Sequence, residues 1–378
     1  MKTQLAWTNL LHQKTRSAVA VAGVTFAVVL VLMQLGFLAA VRQTATRIYG
    51  RLAFDLLLVA PDYVHLSKAG TIPRARLTSA ASLPEVEGAS ALDVGFNLWR
   101  GSGEENRQRR GILVMALAPS ERVIDLPELQ EQQPLLEKPG TVLSDRMSRA
   151  EFGPMEQGVS AEVGRQKVRV GGQFTLGTGF SADGAIVTSD DTFRRLFPNR
   201  KSSDVSLGLI RLKPGVDADE AATKLSKILP RDVRIYTRAE IEARERRHWM
   251  VKTSVGIIFG FGVLVALFVG TAIVYQVLSS DIASHLGEYA TLKAMGYTRR
   301  YLSWLVLQQA LILGVAGFVP GMILAVALYQ LTRYVTHVPV EMTLERAIGV
   351  LVLSVTMCGL SGLASSAKVQ SADPADLF

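Results

Sequence analysis

SDIASHLGEYATLKAMGYTRR, residues 280–300, is a short polar segment between two long uncharged apolar runs. No charged residue occurs in residues 253–280 or in residues 301–332. A helix needs about 20 apolar residues to cross a bilayer, so each run predicts a membrane span. The segment between them is then an elbow at one membrane face, where another protein can push it. This placement predicts a permease that is worked by a partner.

Two further uncharged runs, residues 17–41 and 347–367, bring the number of predicted spans to four. The apolar core of a cleaved signal is about 7–15 residues long, so the longer first run predicts an uncleaved anchor. Positive charge marks cytoplasmic loops, and both the N-terminal tail and residues 281–300 carry it. The chain is therefore expected to be a multi-pass protein of the inner (plasma) membrane, with residues 42–252 in the periplasm.

The predicted organisation follows from these runs. In chain order it comprises a cytoplasmic N-terminal amphipathic segment (1–16), transmembrane helix 1 (17–41), an extracytoplasmic α/β domain with stalk helices (42–252), transmembrane helix 2 (253–280), a cytoplasmic coupling helix (281–300), transmembrane helix 3 (301–332), an outer loop (333–346), transmembrane helix 4 (347–367) and a cytoplasmic tail (368–378). Close approach of two spans is expected at Gly256-x-x-x-Gly260 and Gly317-x-x-x-Gly321, because small residues let helix backbones meet.

Residues 52–237 combine short apolar runs with polar helical segments, which predicts a large α/β domain. Strands are predicted at 54–60, 111–118, 141–144, 167–176, 184–188 and 205–212, and a helix at 217–229. Asp190 and Asp191 are candidate paired carboxylates, but the surrounding TSDDTF after a strand is more typical of a helix N-cap. The charged stretches 42–51 and 238–252 predict helices that continue the first two spans as a stalk.

No group of residues in the sequence predicts catalysis or a cofactor site. His65 and His248 lie far apart in the sequence without cysteine partners, and Cys358 is the single cysteine. No GxxxxGK[ST] motif is present, so any ATP is expected to be bound by a separate ATPase subunit. The net charge of +8 comes without a basic run interleaved with aromatics, which favours a lipid bilayer over nucleic acid as the charged partner. A membrane-anchored enzyme is disfavoured for the same lack of catalytic groups.

The elbow itself has the pattern of an amphipathic helix. Five apolar side chains share one stripe at spacings of three and four residues, namely Ile282, Leu286, Tyr289, Leu292 and Met295. Asp281 suits the start of a helix and Gly296 suits its end. The stripe predicts a surface that docks into an ATPase. An inert helix lying on the bilayer is the alternative.

The order of one span, a large outer domain and three further spans resembles the MacB/FtsX-type permeases, as does EYATLKAMG at 288–296. YQVL at 275–278 followed by HLGEYATLKAMGY at 285–297 resembles the DevC branch, which comprises cyanobacterial permeases of a tripartite exporter. LAW at 5–7, KTR at 14–16, VVLVLMQLG at 28–36 and DPA at 373–375 resemble it too. The chain has Gly287 where that branch has proline. The motif adds His285, Glu288 and Lys293 to the predicted ATPase-coupling residues.

The resemblance implies a homodimer that works with a DevA-like ATPase, a DevB-like membrane-fusion adaptor and a TolC-like outer-membrane channel. The implied function is to transmit ATP-driven motion to a periplasmic domain and adaptor, in export of glycolipid or another amphiphile. An FtsX-like mechanotransmitter that activates a periplasmic cell-wall hydrolase is the alternative. The elbow does not separate the two, because both need it.

Overall fold

The computed structural model describes residues 14–102, 108–177, 179–284, 287, 291 and 295–370. Its contacts divide the chain into two compact units. The membrane unit comprises Met1–Ala39, Ser254–Val335 and Val340–Phe378. The outer domain comprises Ala40–Thr253 and Thr336–Pro339.

The helices and strands of the described residues are as follows. The helices are α1 (Lys14–Arg47), α2 (Ala75–Ala81), α3 (Pro127–Gln132), α4 (Asp190–Leu196), α5 (Ala218–Ile228), α6 (Arg238–Arg247), α7 (Ser254–Ser284), α8 (Arg299–Thr336) and α9 (Leu344–Gln370). The strands are β1 (Leu56–Val59), β2 (Ile72–Pro73), β3 (Val86–Arg100), β4 (Arg110–Leu117), β5 (Thr141–Asp145), β6 (Ser160–Val163), β7 (Gln166–Phe174), β8 (Ala185–Ser189), β9 (Asp204–Val205), β10 (Leu207–Leu212) and β11 (Arg234–Thr237).

Four helices of the described chain are long and apolar enough to cross a membrane. They are Ala18–Arg47, Ser254–Ser284, Arg300–Thr336 and Leu344–Ser365, within α1, α7, α8 and α9. The predicted fold class, four transmembrane helices with a large α/β domain, is confirmed.

Glycines bring α1 and α8 together inside the membrane unit. A Cβ added at Gly317 would lie 2.5 Å from the Val24 Cβ, and one at Gly321 would lie 2.8 Å from a Val28 methyl group. The Thr25 hydroxyl donates a hydrogen bond of 3.1 Å to the Gly317 carbonyl. This pair of glycines therefore makes the predicted close approach. At Gly260, in contrast, an added Cβ would meet no atom of the described chain within 4 Å.

The outer domain is built on a nine-stranded sheet with the order β11-β1-β10-β3-β4-β8-β5-β7-β6. Neighbouring strands are mostly antiparallel, and the β4–β8 and β5–β7 pairs are parallel. Every residue of β1 is buried. Leu57 and Val59 belong to one apolar core and Leu56 and Leu58 to another, because successive side chains of a strand point to opposite faces.

Most of the predicted elements of this domain are present, and the long strand β3 is the main one that the sequence pattern missed. Its middle carries Asp93, a polar residue that usually argues against a buried strand. The Asp93 carboxylate accepts a hydrogen bond of 3.0 Å from the Ser206 backbone N–H, which compensates for its burial. The Ser189 hydroxyl accepts from the Thr192 backbone N–H at the start of α4, so the predicted N-cap beside Asp190 is confirmed.

Residues 238–252 are helical, as predicted, but the helix does not continue directly into the second span. α6 ends at Arg247, a π-helix covers His248–Lys252, and Thr253 is extended, with φ −98° and ψ 150°. The Thr253 hydroxyl donates to the Trp249 carbonyl at 2.7 Å. A β-branched residue favours extended backbone, and this one closes the preceding turn with its side chain. After the first span, the helix does continue, to Arg47.

Candidate functional site

The predicted coupling segment is described at four of its ten named residues, which are Asp281, Ile282, Met295 and Gly296. The other six lie outside the described residues, and they are His285, Leu286, Glu288, Tyr289, Leu292 and Lys293. Asp281 lies in the last turn of α7 as the structure has it.

Ile282 begins the apolar stripe and is 1% exposed. It packs in a cluster with Leu302, Leu305 and Val306 of α8. Its side chain is therefore already buried within the chain, where it holds the start of the segment against the next span. It is an anchor of the segment and offers no open surface to a partner.

The far end of the segment is a helix stop. The Met295 backbone N–H donates to the Thr291 carbonyl at 3.0 Å, and Gly296 then has φ +92°, a conformation that glycine adopts without strain. The Thr298 carbonyl accepts from the Tyr301 backbone N–H at 2.9 Å, which begins the turn of α8. The predicted helix end at Gly296 is confirmed. Met295 is 63% exposed, so its thioether is free to face a partner.

A second polar site, which the sequence pattern did not predict, lies in the outer domain. We call Tyr49, Tyr63, Arg238 and Glu245 the base cluster, because they join the chain that follows α1 to α6. The Arg238 guanidinium donates to the carbonyls of Tyr49 at 2.7 Å, Leu52 at 2.8 Å and Phe54 at 2.6 Å. Its central carbon also lies 4.2 Å from the Phe54 ring centroid.

The sequence places Arg238 at the first position of α6 through a local signal. The Thr237 hydroxyl accepts from the Glu240 backbone N–H, and the Glu240 carboxylate accepts from the Thr237 backbone N–H. Together these two bonds form a complete capping box at the start of the helix. The Tyr49 carbonyl also accepts from the Leu52 backbone N–H within the 3₁₀ turn Tyr49–Arg51, whereas the Leu52 and Phe54 carbonyls lie in irregular backbone and would otherwise need water or another donor. One guanidinium therefore fixes two distant parts of the chain.

Glu245 is the buried acid of the base cluster. It is 1% exposed, and its Oε1 lies 3.2 Å from the Tyr49 hydroxyl. The Tyr63 hydroxyl donates to the same oxygen and also shares a short hydrogen bond with the Tyr49 hydroxyl. Burial raises the pKa of Glu245 to about 7, and the hydrogen bonds from Tyr63 and Tyr49 oppose that rise. Burial, followed by the charge of Glu245, raises the pKa of Tyr63 well above its ordinary value.

The base cluster was hidden in the sequence because Glu245 stands among charged neighbours. RAEIEARERR reads as a solvated helix, and only the i,i+4 spacing of Ile241 and Glu245, both buried, marks an inner face. The two tyrosines come from a different part of the chain. No short-range pattern connects them with α6.

His65 and His248 also lie together, although the sequence separates them. Their ring centroids are 4.9 Å apart and the rings are stacked. The Trp249 ring lies edge-on to both. Burial lowers the pKa of each histidine, so both are expected to be neutral at pH 7.

Comparison with known families adds to this geometry. The model of the MacB-like periplasmic core domain matches residues 17–228, and that of the FtsX-like permease C-terminal region matches residues 260–374. The chain belongs to the MacB/FtsX-type permease family. The permease is thus a multi-pass membrane component of the ABC transporter type with an extracytoplasmic domain, and members of this family typically work with an ATPase partner.

Solved structures are similar to about half of the permease. The periplasmic region of MacB from Actinobacillus actinomycetemcomitans is 10% identical, with a TM-score of 0.37, over 52% of this chain and 94% of that one. The extracellular domain of the noncanonic ABC-type transporter YknZ from Gram-positive bacteria is 13% identical, with a TM-score of 0.34, over 49% of this chain and 100% of that one. A search of curated protein sequences gives no match.

Proposed function

We propose that the permease is the DevC-like membrane subunit of a tripartite exporter and transmits ATP-driven motion to its periplasmic domain. It lies in the inner membrane as a homodimer. A DevA-like ATPase binds and hydrolyses ATP, and the permease itself binds no cofactor and catalyses no reaction. A DevB-like adaptor and a TolC-like channel carry the cargo onward, and the cargo is a glycolipid or another amphiphile.

The observation that carries this proposal is the base cluster. Arg238, in the first turn of α6, donates to three carbonyls of the segment that follows α1. A force that reaches the outer domain through α1 or through α6 is therefore shared by both. Hydrogen bonds from a charged group are among the stronger ones in proteins, and these are partly buried, so the joint is suited to passing on a displacement.

The input of the motion is the segment between α7 and α8. The proposed ATPase-coupling residues are those named from the sequence, with Ile282 as the internal anchor. A push on the segment then reaches α8 through the contacts of Ile282 with Leu302 and Val306. The exposed Met295 and the Gly296 stop mark where the segment ends.

The test is a coupled assay in proteoliposomes with the permease, the ATPase and the adaptor encoded beside it. Arg238→Gln removes the three-carbonyl joint, and we expect adaptor-stimulated ATP hydrolysis to fall several-fold while the ATPase still co-purifies with the permease. Arg234→Gln is the matched control, because Arg234 is exposed on the adjoining strand. Stimulation that is equal in the two variants would refute transmission through the base cluster.

An FtsX-like role, in which the same motion activates a periplasmic cell-wall hydrolase, is the second candidate, and the family match over residues 260–374 fits this role and export equally. The two are separated by what the purified permease retains. A membrane-fusion adaptor among the retained proteins supports export. A peptidoglycan hydrolase in its place supports the second role.

A further inference from the structure

A cavity of 490 Å³ lies in the outer domain beside α6 and the π-helix His248–Lys252. Its charged and aromatic lining consists of Tyr63, Tyr236, Glu240, Arg244, Arg247, His248 and Lys252. A pocket of this size accommodates a small polar group such as a lipid headgroup.

The cavity has an excess of positive charge. Arg244, Arg247 and Lys252 line it together with the single carboxylate of Glu240, which is engaged by the Thr237 backbone N–H at 2.9 Å. None of the three cations forms an ion pair with a residue that the structure describes. The adjacent Arg246, in contrast, pairs with Glu242 at 3.4 Å. The lining therefore lacks the anion that would neutralise it.

Arg244 is held in place as a fixed donor. Its Nη2 donates to the Tyr63 carbonyl at 3.0 Å, and its guanidinium lies 5.5 Å from the Tyr236 ring centroid. Its Nε is buried and has no hydrogen-bond partner among the described residues. Because that atom is enclosed by the protein, a ligand in the cavity would meet the guanidinium through its Nη atoms. The planar guanidinium fork matches the oxygens of a phosphate group.

The pKa of His248 is affected by the same positive charges. The pKa of His248 is lowered, first by burial and then by the charges of Lys252 and Arg244. Arg247 and Lys252 are exposed at the rim of the cavity, where long side chains can fold over a bound anion. The half-buried Arg244 and the exposed Arg247 and Lys252 thus line the same cavity.

We propose that this cavity binds the phosphate group of an anionic phospholipid headgroup. Lys252 lies two residues before Ser254, where the candidate span of α7 begins, so its Cα is at most about 8 Å from the start of that helix. Trp249, in the same π-helix, is a residue type enriched where a chain meets the bilayer surface. A lipid phosphate is therefore within reach of Lys252 by chain length alone. This inference does not rest on the proposed export role, because it concerns only what the outer domain binds.

The test uses the full-length permease in maltoside micelles. A fluorescent phosphatidylglycerol is titrated into the micelles, and a phosphatidylcholine with the same label serves as the neutral comparison. We expect the phosphatidylglycerol to bind at least tenfold more tightly and to be displaced by unlabelled phosphatidylglycerol. Higher salt should weaken the binding, because the rim cations are exposed.

Matched variants separate the cavity from general charge. Arg247→Gln with Lys252→Gln should weaken phosphatidylglycerol binding at least tenfold. Arg195→Gln with Lys201→Gln removes the same charges from exposed positions elsewhere on the domain and should change nothing. Arg247→Lys with Lys252→Arg keeps both charges and should retain binding, which shows that the pocket still folds when its rim is altered.

Three results would overturn the proposal. The first is equal phosphatidylglycerol affinity in the cavity variant and the matched control. The second is equal affinity for the two lipids in the unaltered protein. The third is displacement of the labelled lipid by inorganic phosphate at the same concentration as by unlabelled lipid, which would assign the cavity to a soluble anion.

Discussion

The Tyr49 hydroxyl lies 3.2 Å from the Glu245 carboxylate, although 196 positions separate the two residues in the sequence. Tyr49 stands in the 3₁₀ turn that follows α1, and Glu245 stands in the last turn of α6. The segment that leaves the first span and the segment that leads to the second are thus bonded to each other inside the outer domain. This hydrogen bond links the turn after α1 directly to α6.

Removal of the Tyr63 hydroxyl tests the strength of the base cluster. Tyr63→Phe leaves the buried Glu245 with one donor fewer, and we expect a loss of about 1–3 kcal/mol in the free energy of unfolding. Thermal unfolding of the purified full-length protein measures it. Tyr236→Phe is the control, since the Tyr236 hydroxyl makes no hydrogen bond with a described residue. Equal unfolding temperatures for the two variants would contradict the prediction.

The pKa of Glu245 predicts a specific dependence of stability on pH. The pKa is raised from 4.5 to about 7, so the folded protein holds this proton more tightly than the unfolded chain does. The stabilising contribution is complete below pH 4.5 and is lost as the pH rises through about 7. The shift corresponds to about 3 kcal/mol.

Glu245→Gln isolates this effect, because the amide does not titrate. Between pH 5 and pH 8, the unfolding temperature of the unaltered protein should fall relative to that of the variant. Differences between the two proteins cancel the contributions of other groups, including His65 and His248. Parallel curves would show that Glu245 titrates normally.

A charge introduced at the buried Ile282 should have a different effect from one introduced at Leu286 or Tyr289 of the predicted apolar stripe. Ile282→Asp places a charge in the buried cluster with Leu302, so the yield of folded protein should fall. Leu286→Asp or Tyr289→Asp should leave the yield unchanged but uncouple ATP hydrolysis from transport. Detergent-solubilised yield and ATPase co-purification distinguish the two effects. Full ATPase association and transport in both Leu286→Asp and Tyr289→Asp would disprove docking through the stripe.

The approach of α1 to α8 should not tolerate a larger residue. Gly317→Val would drive a side chain into Val24, where an added Cβ already lies at 2.5 Å, and should lower the unfolding temperature by several degrees. Gly260→Val is the matched control, because the space around Gly260 is open in the described chain. A similar loss in both variants would mean that Gly260 meets a partner, such as a second copy.

Local properties of the sequence predicted the spans well, because an uncharged apolar run that is long enough to cross a bilayer is stable there as a helix. The helix stop at Gly296 and the cap at Ser189 were equally local. The sheet order was not predictable, because β1 pairs with β10 and β11, which follow it by roughly 150 residues or more. In the sequence, Glu245 is one of several charged residues of α6. Only the fold brings Tyr49 and Tyr63 against its carboxylate. The break at Thr253 was missed because its charged and apolar neighbours both favour helix.

β1 is a four-residue strand without a solvent face. Phe54, whose carbonyl is held by Arg238, precedes it by two residues. Any shift of that carbonyl is therefore passed to a strand that both apolar cores grip, with β10 on one side and β11 on the other. Close-packed interiors hardly compress, so neither core can absorb the movement alone. β1 therefore links the carbonyl that Arg238 holds to both apolar cores of the outer domain.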